Sequence, residues 1–123
     1  MNAAFRRTDA METLESFAPI VVLHVALLTC FPHSRDRKHW MKELEAFRKT
    51  YSRYNNGKRG RSNFNRELIG DSLEDVVYDF EGKERIVNAI LAKGLSLEFE
   101  DVNWDDVRKG IDEFSRSVFR NTP

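Results

Sequence analysis

Apolar residues recur at steps of three and four in four stretches of this chain, and at steps of two in one short stretch. The first period belongs to an α-helix with one buried face, the second to an extended strand. Met11, Leu14, Ala18, Val21, Val25 and Leu28 define the first helical seam. Asp9 and Glu12 suit its start, where carboxylates satisfy free backbone N–H groups. Pro19 removes a backbone donor within it, which predicts a kink or a split. Pro32 then breaks the chain and Ser34 is placed to cap a second helix. Its stripe is Trp40, Leu44, Phe47, Tyr51 and Tyr54, and the run 55–57 (NNG) ends it.

Residues 65–69 suit a short helical turn before Gly70. Ser72 and Asp75 are placed to cap a third helix with the seam Leu73, Val77, Phe80, Val87 and Leu91. Glu84 interrupts that seam, Gly82 is its weak point, and Gly94 is a natural stop. Residues 95–100 alternate strictly, with Leu95, Leu97 and Phe99 on one side and Ser96, Glu98 and Glu100 on the other. Trp104, Val107, Ile111, Phe114 and Val118 form the last helical stripe, capped by Asn103 or Asp101, with Arg116 and Arg120 suited to the negative end of its dipole. The pattern predicts a mainly α fold: a compact bundle of four to five helices, with at most a small extended element near 95–100. The β-branched density of residues 20–25 supports an alternative, an α/β fold with strands near 21–28 and 95–100.

Composition adds that this pattern folds. Leu, Ile, Val and Phe number 33, about 27% of the 123 residues, above the roughly 20% below which chains stay disordered. The length suits one domain spanning 1–123. Residues 17–31 (FAPIVVLHVALLTCF) are the longest apolar run. They interrupt themselves with His24 and fall short of the roughly 20 residues a bilayer requires. Glu12 and Glu15 separate the run from Arg6 and Arg7, and no small-x-small cleavage site follows, so a core element is expected rather than a signal peptide. With Cys30 as the single cysteine, no intrachain disulfide forms, and a cytoplasmic setting is expected.

Charge changes the picture most. The formal net charge is zero, yet residues 32–66 hold eleven Lys/Arg against three acids, while residues 67–116 hold fourteen acids against six Lys/Arg. Balances of +8 and −8 within one chain point to a charged partner or to two halves that neutralise each other. The run 57–61 contains no acid, so separate faces and a dipolar molecule are expected.

No catalytic signature accompanies this asymmetry. The run 101–105 (DVNWD) opens like a calcium loop, but Asp106 stands where a sharp turn needs Gly, and Asp112 where a bidentate Glu is needed. Cys30, His33 and His39, with His24 upstream, lack the tight paired spacing of zinc sites. No elbow or oxyanion loop supports Cys30 as a nucleophile. No cofactor, metal or catalytic residue is therefore assigned. The favoured expectation is a small non-enzymatic module that binds, and in the manner of an immunity or antitoxin protein inhibits, a basic macromolecular partner. Its acidic face would be Glu74, Asp75, Asp79, Glu98, Glu100, Asp105, Asp106 and Asp112. The alternative is a nucleic-acid-binding module using Arg48, Lys49, Arg53, Lys58, Arg59 and Arg61, where cations interleave with aromatics. A small enzyme of unassigned chemistry is the third reading, and no membrane partner is expected.

Overall fold

The computed structural model describes the backbone of residues 3–55 and 66–120, and the side-chain surroundings of 15–53 and 69–118. Within these residues the chain forms five α-helices: α1 (Ala3–Cys30), α2 (Arg37–Asn55), α3 (Arg66–Glu74), α4 (Phe80–Ala92) and α5 (Trp104–Arg120). Single 3₁₀ turns, Asp75–Val77 and Phe99–Asp101, follow α3 and precede α5. The mainly α expectation holds and the α/β alternative does not: residues 21–28 lie in α1, and no strand is present among the described residues. No helix among them is long and apolar enough to cross a membrane.

The first helix is the centre of the molecule. Ala18, Val21, Val22, His24, Val25, Ala26 and Leu27 are all buried, on every side of the helix rather than along the narrow seam its spacing suggested. A helix apolar all round must be surrounded by other elements, and α1 packs against each of the other four helices. It already runs at Ala3, upstream of the expected start at Asp9. Nor does Pro19 split it. Pro19 and Glu15 are both exposed, so the carbonyl that loses its donor lies on the solvent side, where water can reach it. His24 is held inside, its Nδ1 2.7 Å from the Ile20 carbonyl oxygen.

α2 lays Trp40 and Tyr51 into the core, with Leu44 and Phe47 at its edge. The ring of Tyr51 meets Phe114 edge-on at 5.6 Å, and burial pushes its hydroxyl pKa well above the usual tyrosine range. Ser34 does not cap the helix. Its hydroxyl accepts from the Asp36 N–H at 3.0 Å, holding the turn before α2, while the Asp36 carbonyl accepts from Trp40.

The predicted third helix is two. α3 continues through Ser72 to Glu74, a 3₁₀ turn follows, and α4 restarts at Phe80. Asp79 caps the restart, its carboxylate accepting from the Gly82 N–H at 2.7 Å. The break resets the helical phase, so α4 buries Gly82, Ile86, Val87 and Ile90. Phe80 and Leu91, expected on the buried seam, are 60% and 44% exposed. Gly82 is no weak point but a point of close approach: a Cβ there would lie 2.0 Å from the Val76 carbonyl oxygen. Gly94 ends α4 as expected, with φ +85° and its N–H on the Leu91 carbonyl at 2.9 Å.

Residues 95–98 form neither helix nor strand, and Glu98 is extended (φ −106°, ψ 149°). Their alternation still holds: Leu95, Leu97 and Phe99 pack on the core, while Ser96, Glu98 and Glu100 face solvent. Period two here reflects a chain lying across helices rather than a sheet. α5 then buries Val107, Ile111, Phe114, Ser115 and Val118, and Asn103, rather than Asp101, caps it through the Asp106 N–H at 3.2 Å.

Candidate functional site

The helix break and the extended segment together create the most distinctive surface. Tyr78 and Phe80, on either side of the α4 cap, are 79% and 60% exposed. Phe80 stacks on Phe99 with ring centroids 5.0 Å apart, and Phe99 on Trp104 at 5.6 Å. Three elements thus contribute one row of rings: the first turn of α4, the turn Phe99–Asp101, and the first turn of α5. The ammonium of Lys83 lies 5.8 Å from the Trp104 ring centre, within cation–π range. The indole Nε1 of Trp104 is buried with no hydrogen-bond acceptor among the described residues, and native structures leave few such buried donors unmet.

Carboxylates neighbour these aromatics along the chain. Asp79 stands between Tyr78 and Phe80, Glu98 and Glu100 flank Phe99, Asp105 follows Trp104, and Glu74 and Asp75 lead into the break. All six are exposed. A shallow depression beside the rings is lined by Glu100, Asp101, Asn103, Trp104 and Asp105. Of the eight expected acidic residues, these six precede, interrupt or flank the ring-bearing positions along the chain. The other two lie elsewhere in α5: Asp106 pairs with Lys109 at 3.8 Å and Asp112 with Arg116 at 2.9 Å. Asp105 also has a local partner, Arg108, at 3.3 Å. α5 contains four acids and four bases, so its outer face is self-neutralising. The acidic excess sits upstream, where residues 67–103 hold ten acids against three bases.

Of the basic residues expected to meet nucleic acid, Arg48 is committed within its own helix. It makes a two-pronged pair with Glu45, its Nε donating to Oε1 at 2.8 Å. That hydrogen bond pulls the Glu45 carboxyl below its usual range and raises the guanidinium above its own. Lys49 and Arg53 are exposed; Lys58, Arg59 and Arg61 lie outside the described residues.

A second concavity, a groove of about 450 Å³, runs between α1, α2 and α5. Val25, Leu28, Met41, Leu44 and Phe114 supply its apolar walls, with Glu45, Arg48 and Glu113 also lining it. Its two hydroxyls are spent on backbone, Thr29 donating to Val25 O at 2.8 Å and Ser117 to Phe114 O at 2.7 Å. Each hydroxyl proton is thus held by a carbonyl of its own helix rather than by a carboxylate. Cys30 is half-buried and burial raises its thiol pKa, which keeps it in the unreactive protonated form. His39 is on the surface, 3.9 Å from Glu43, and His33 is exposed. Among the described residues no three His, Cys, Asp or Glu side chains converge to hold a metal ion. The run 101–112 is a 3₁₀ turn leading into helix, not a calcium loop.

No protein-family model, curated protein or solved structure matches this chain, so the reading of its surfaces rests on their own chemistry.

Proposed function

We propose that the chain is a non-enzymatic protein-binding module that docks a basic protein through the acid-rimmed aromatic patch of Tyr78, Phe80, Phe99 and Trp104. The observation that carries this reading is the exposure of Tyr78 and Phe80 among carboxylates. Water-exposed rings forgo the burial that drives folding, whereas aromatic residues are the favoured anchors at the centre of protein interfaces. The rim supports a basic partner: Glu74, Asp75, Glu98 and Glu100 would accelerate encounter with Lys and Arg and select against acidic surfaces. A small inhibitor that covers a basic site, in the manner of immunity and antitoxin proteins, uses this combination of an apolar anchor and a negative rim.

Affinity capture followed by titration is the test. Wild-type protein should retain one stoichiometric basic protein at physiological salt. The variant Tyr78→Ser/Phe80→Ser should bind it at least about 30-fold more weakly, the equivalent of a 2 kcal/mol hot spot, with its fold unchanged by circular dichroism. A partner held equally well by wild type and variant would place the interface elsewhere, and the absence of any basic partner would remove the proposal.

A further inference from the structure

We propose that the outward face of α2 is a second binding surface, which grips the phosphodiester backbone of nucleic acid without reading its sequence. Trp40, Leu44, Phe47 and Tyr51 turn inward. Lys38, Lys42, Lys49 and Arg53 each stand two residues from a member of that stripe, about 200° around the helix axis, and all four are exposed. With Ala46 they form a single row at steps of four, four, three and four, extending about 22 Å along the axis at 1.5 Å per residue. The helix contains two acids, and each already has a partner on the same helix: Glu43 with His39 at 3.9 Å, and Glu45 with Arg48. None of the four cations of the row makes an ion pair among the described residues, although Lys49 helps hold the nearby Glu45 carboxyl low; all four side chains remain exposed to solvent.

The composition of the row selects the partner. Protein interfaces need a desolvated apolar or aromatic centre surrounded by a polar rim. This row has no side chain larger than a methyl group apart from its four cations. Binding to a phosphate backbone has no such requirement, since release of condensed counterions by Lys and Arg supplies the affinity. The same reasoning argues against a second copy of the chain as occupant, because the aromatic patch of one molecule would find no apolar counterpart on this face of another. The surface is also separate from that patch: α2 packs on α1 and α5, while the patch lies where α4, the turn Phe99–Asp101 and α5 meet.

Anisotropy titrations of a labelled 20-base-pair duplex and of a 20-nucleotide oligo-dT, each at 50 and 200 mM NaCl, test this. Four phosphate contacts predict a log–log salt slope of about −3.6 on duplex and about −2.8 on the single strand, so duplex affinity should fall roughly 150-fold between the two salts. Each single change among Lys38→Gln, Lys42→Gln, Lys49→Gln and Arg53→Gln should reduce the slope by about one. The four together should remove binding while leaving the melting curve intact. The Tyr78→Ser/Phe80→Ser variant should bind DNA as wild type does. The proposal is overturned if neither nucleic acid binds at 50 mM NaCl, if the fourfold variant still binds, or if the patch variant does not. It is likewise overturned if polyglutamate of similar charge binds as tightly as DNA, which would assign the row to an acidic protein.

Discussion

Two glycines show how much a single Cβ decides here. In isolation, glycine within a helix costs about 1 kcal/mol relative to alanine, so replacement by alanine should stabilise wherever space allows. At Gly70 in α3 the nearest atom to a Cβ would be Ser115 Oγ at 3.5 Å, an ordinary contact. Gly70→Ala should therefore raise stability, by up to about 1 kcal/mol. At Gly82 the Val76 carbonyl oxygen would be 2.0 Å away. That oxygen belongs to backbone and has no rotamer by which to retreat, so Gly82→Ala should destabilise by roughly 1–3 kcal/mol or more as the turn is forced off α4. Urea denaturation of the two variants measures both signs. Equal effects would show that α4 does not sit against the turn as described.

The element that matters most is the join between α3 and α4. A continuous helix from Ser72 to Lys93 would have kept one buried seam and carried Phe80 into it. Three 3₁₀ residues and the extended Asp79 (φ −111°, ψ 173°) restart the helix in a new phase, turning Ile86 and Ile90 inward and Tyr78 and Phe80 outward. The Asp79 carboxylate, accepting from the Gly82 N–H, fixes that restart. Replacing a capping Asp by Ala costs about 0.5–2 kcal/mol, and Asp79→Ala should lose that amount in chemical denaturation. It should also loosen the first turn of α4 and with it the Phe80–Phe99 contact. Asp79→Asn, which keeps an accepting oxygen, should recover most of the loss. If Asp79→Ala is as stable as wild type, the cap is not what sets the phase.

At the scale of the molecule, the charge blocks are not neutralised by each other among the described residues. Every ion pair there joins side chains three or four residues apart on one helix. Such local pairs, largely exposed apart from the Arg48 side chain, contribute at most about 1 kcal/mol each at the surface and leave the basic row of α2 and the acidic surface around α3 and α4 as separate poles. The Debye length is about 30 Å at 0.01 M salt and about 8 Å at 0.15 M. Sedimentation should accordingly show weak head-to-tail association at the lower salt, reversed at the higher. A monomer at both, with no shift in apparent mass, would count against a dipolar molecule.

The sequence by itself determined the helical class, the core stripes of α2 and α5, the stop at Gly94, and the alternation of residues 95–100, because each follows from periodicity or from a backbone conformation only glycine adopts freely. It also determined the segregation of charge, which needs only counting. The tertiary structure decided the rest. That α1 is central rather than peripheral depends on how many neighbours surround it, and a seam read from one helix alone carries no such information. That residues 95–98 form no strand depends on which surface they cross. Phe99 and Trp104 rest partly buried on the core as their patterns predict; what stayed hidden is the exposure of Phe80, which fit a buried seam. A phase change at Tyr78–Asp79 turned Phe80 outward, and the meeting of distant segments set it beside Phe99; both are properties of packing rather than of any stretch of sequence. The nearest local signal was Tyr78-Asp79-Phe80, two aromatics flanking a capping residue at a helix start.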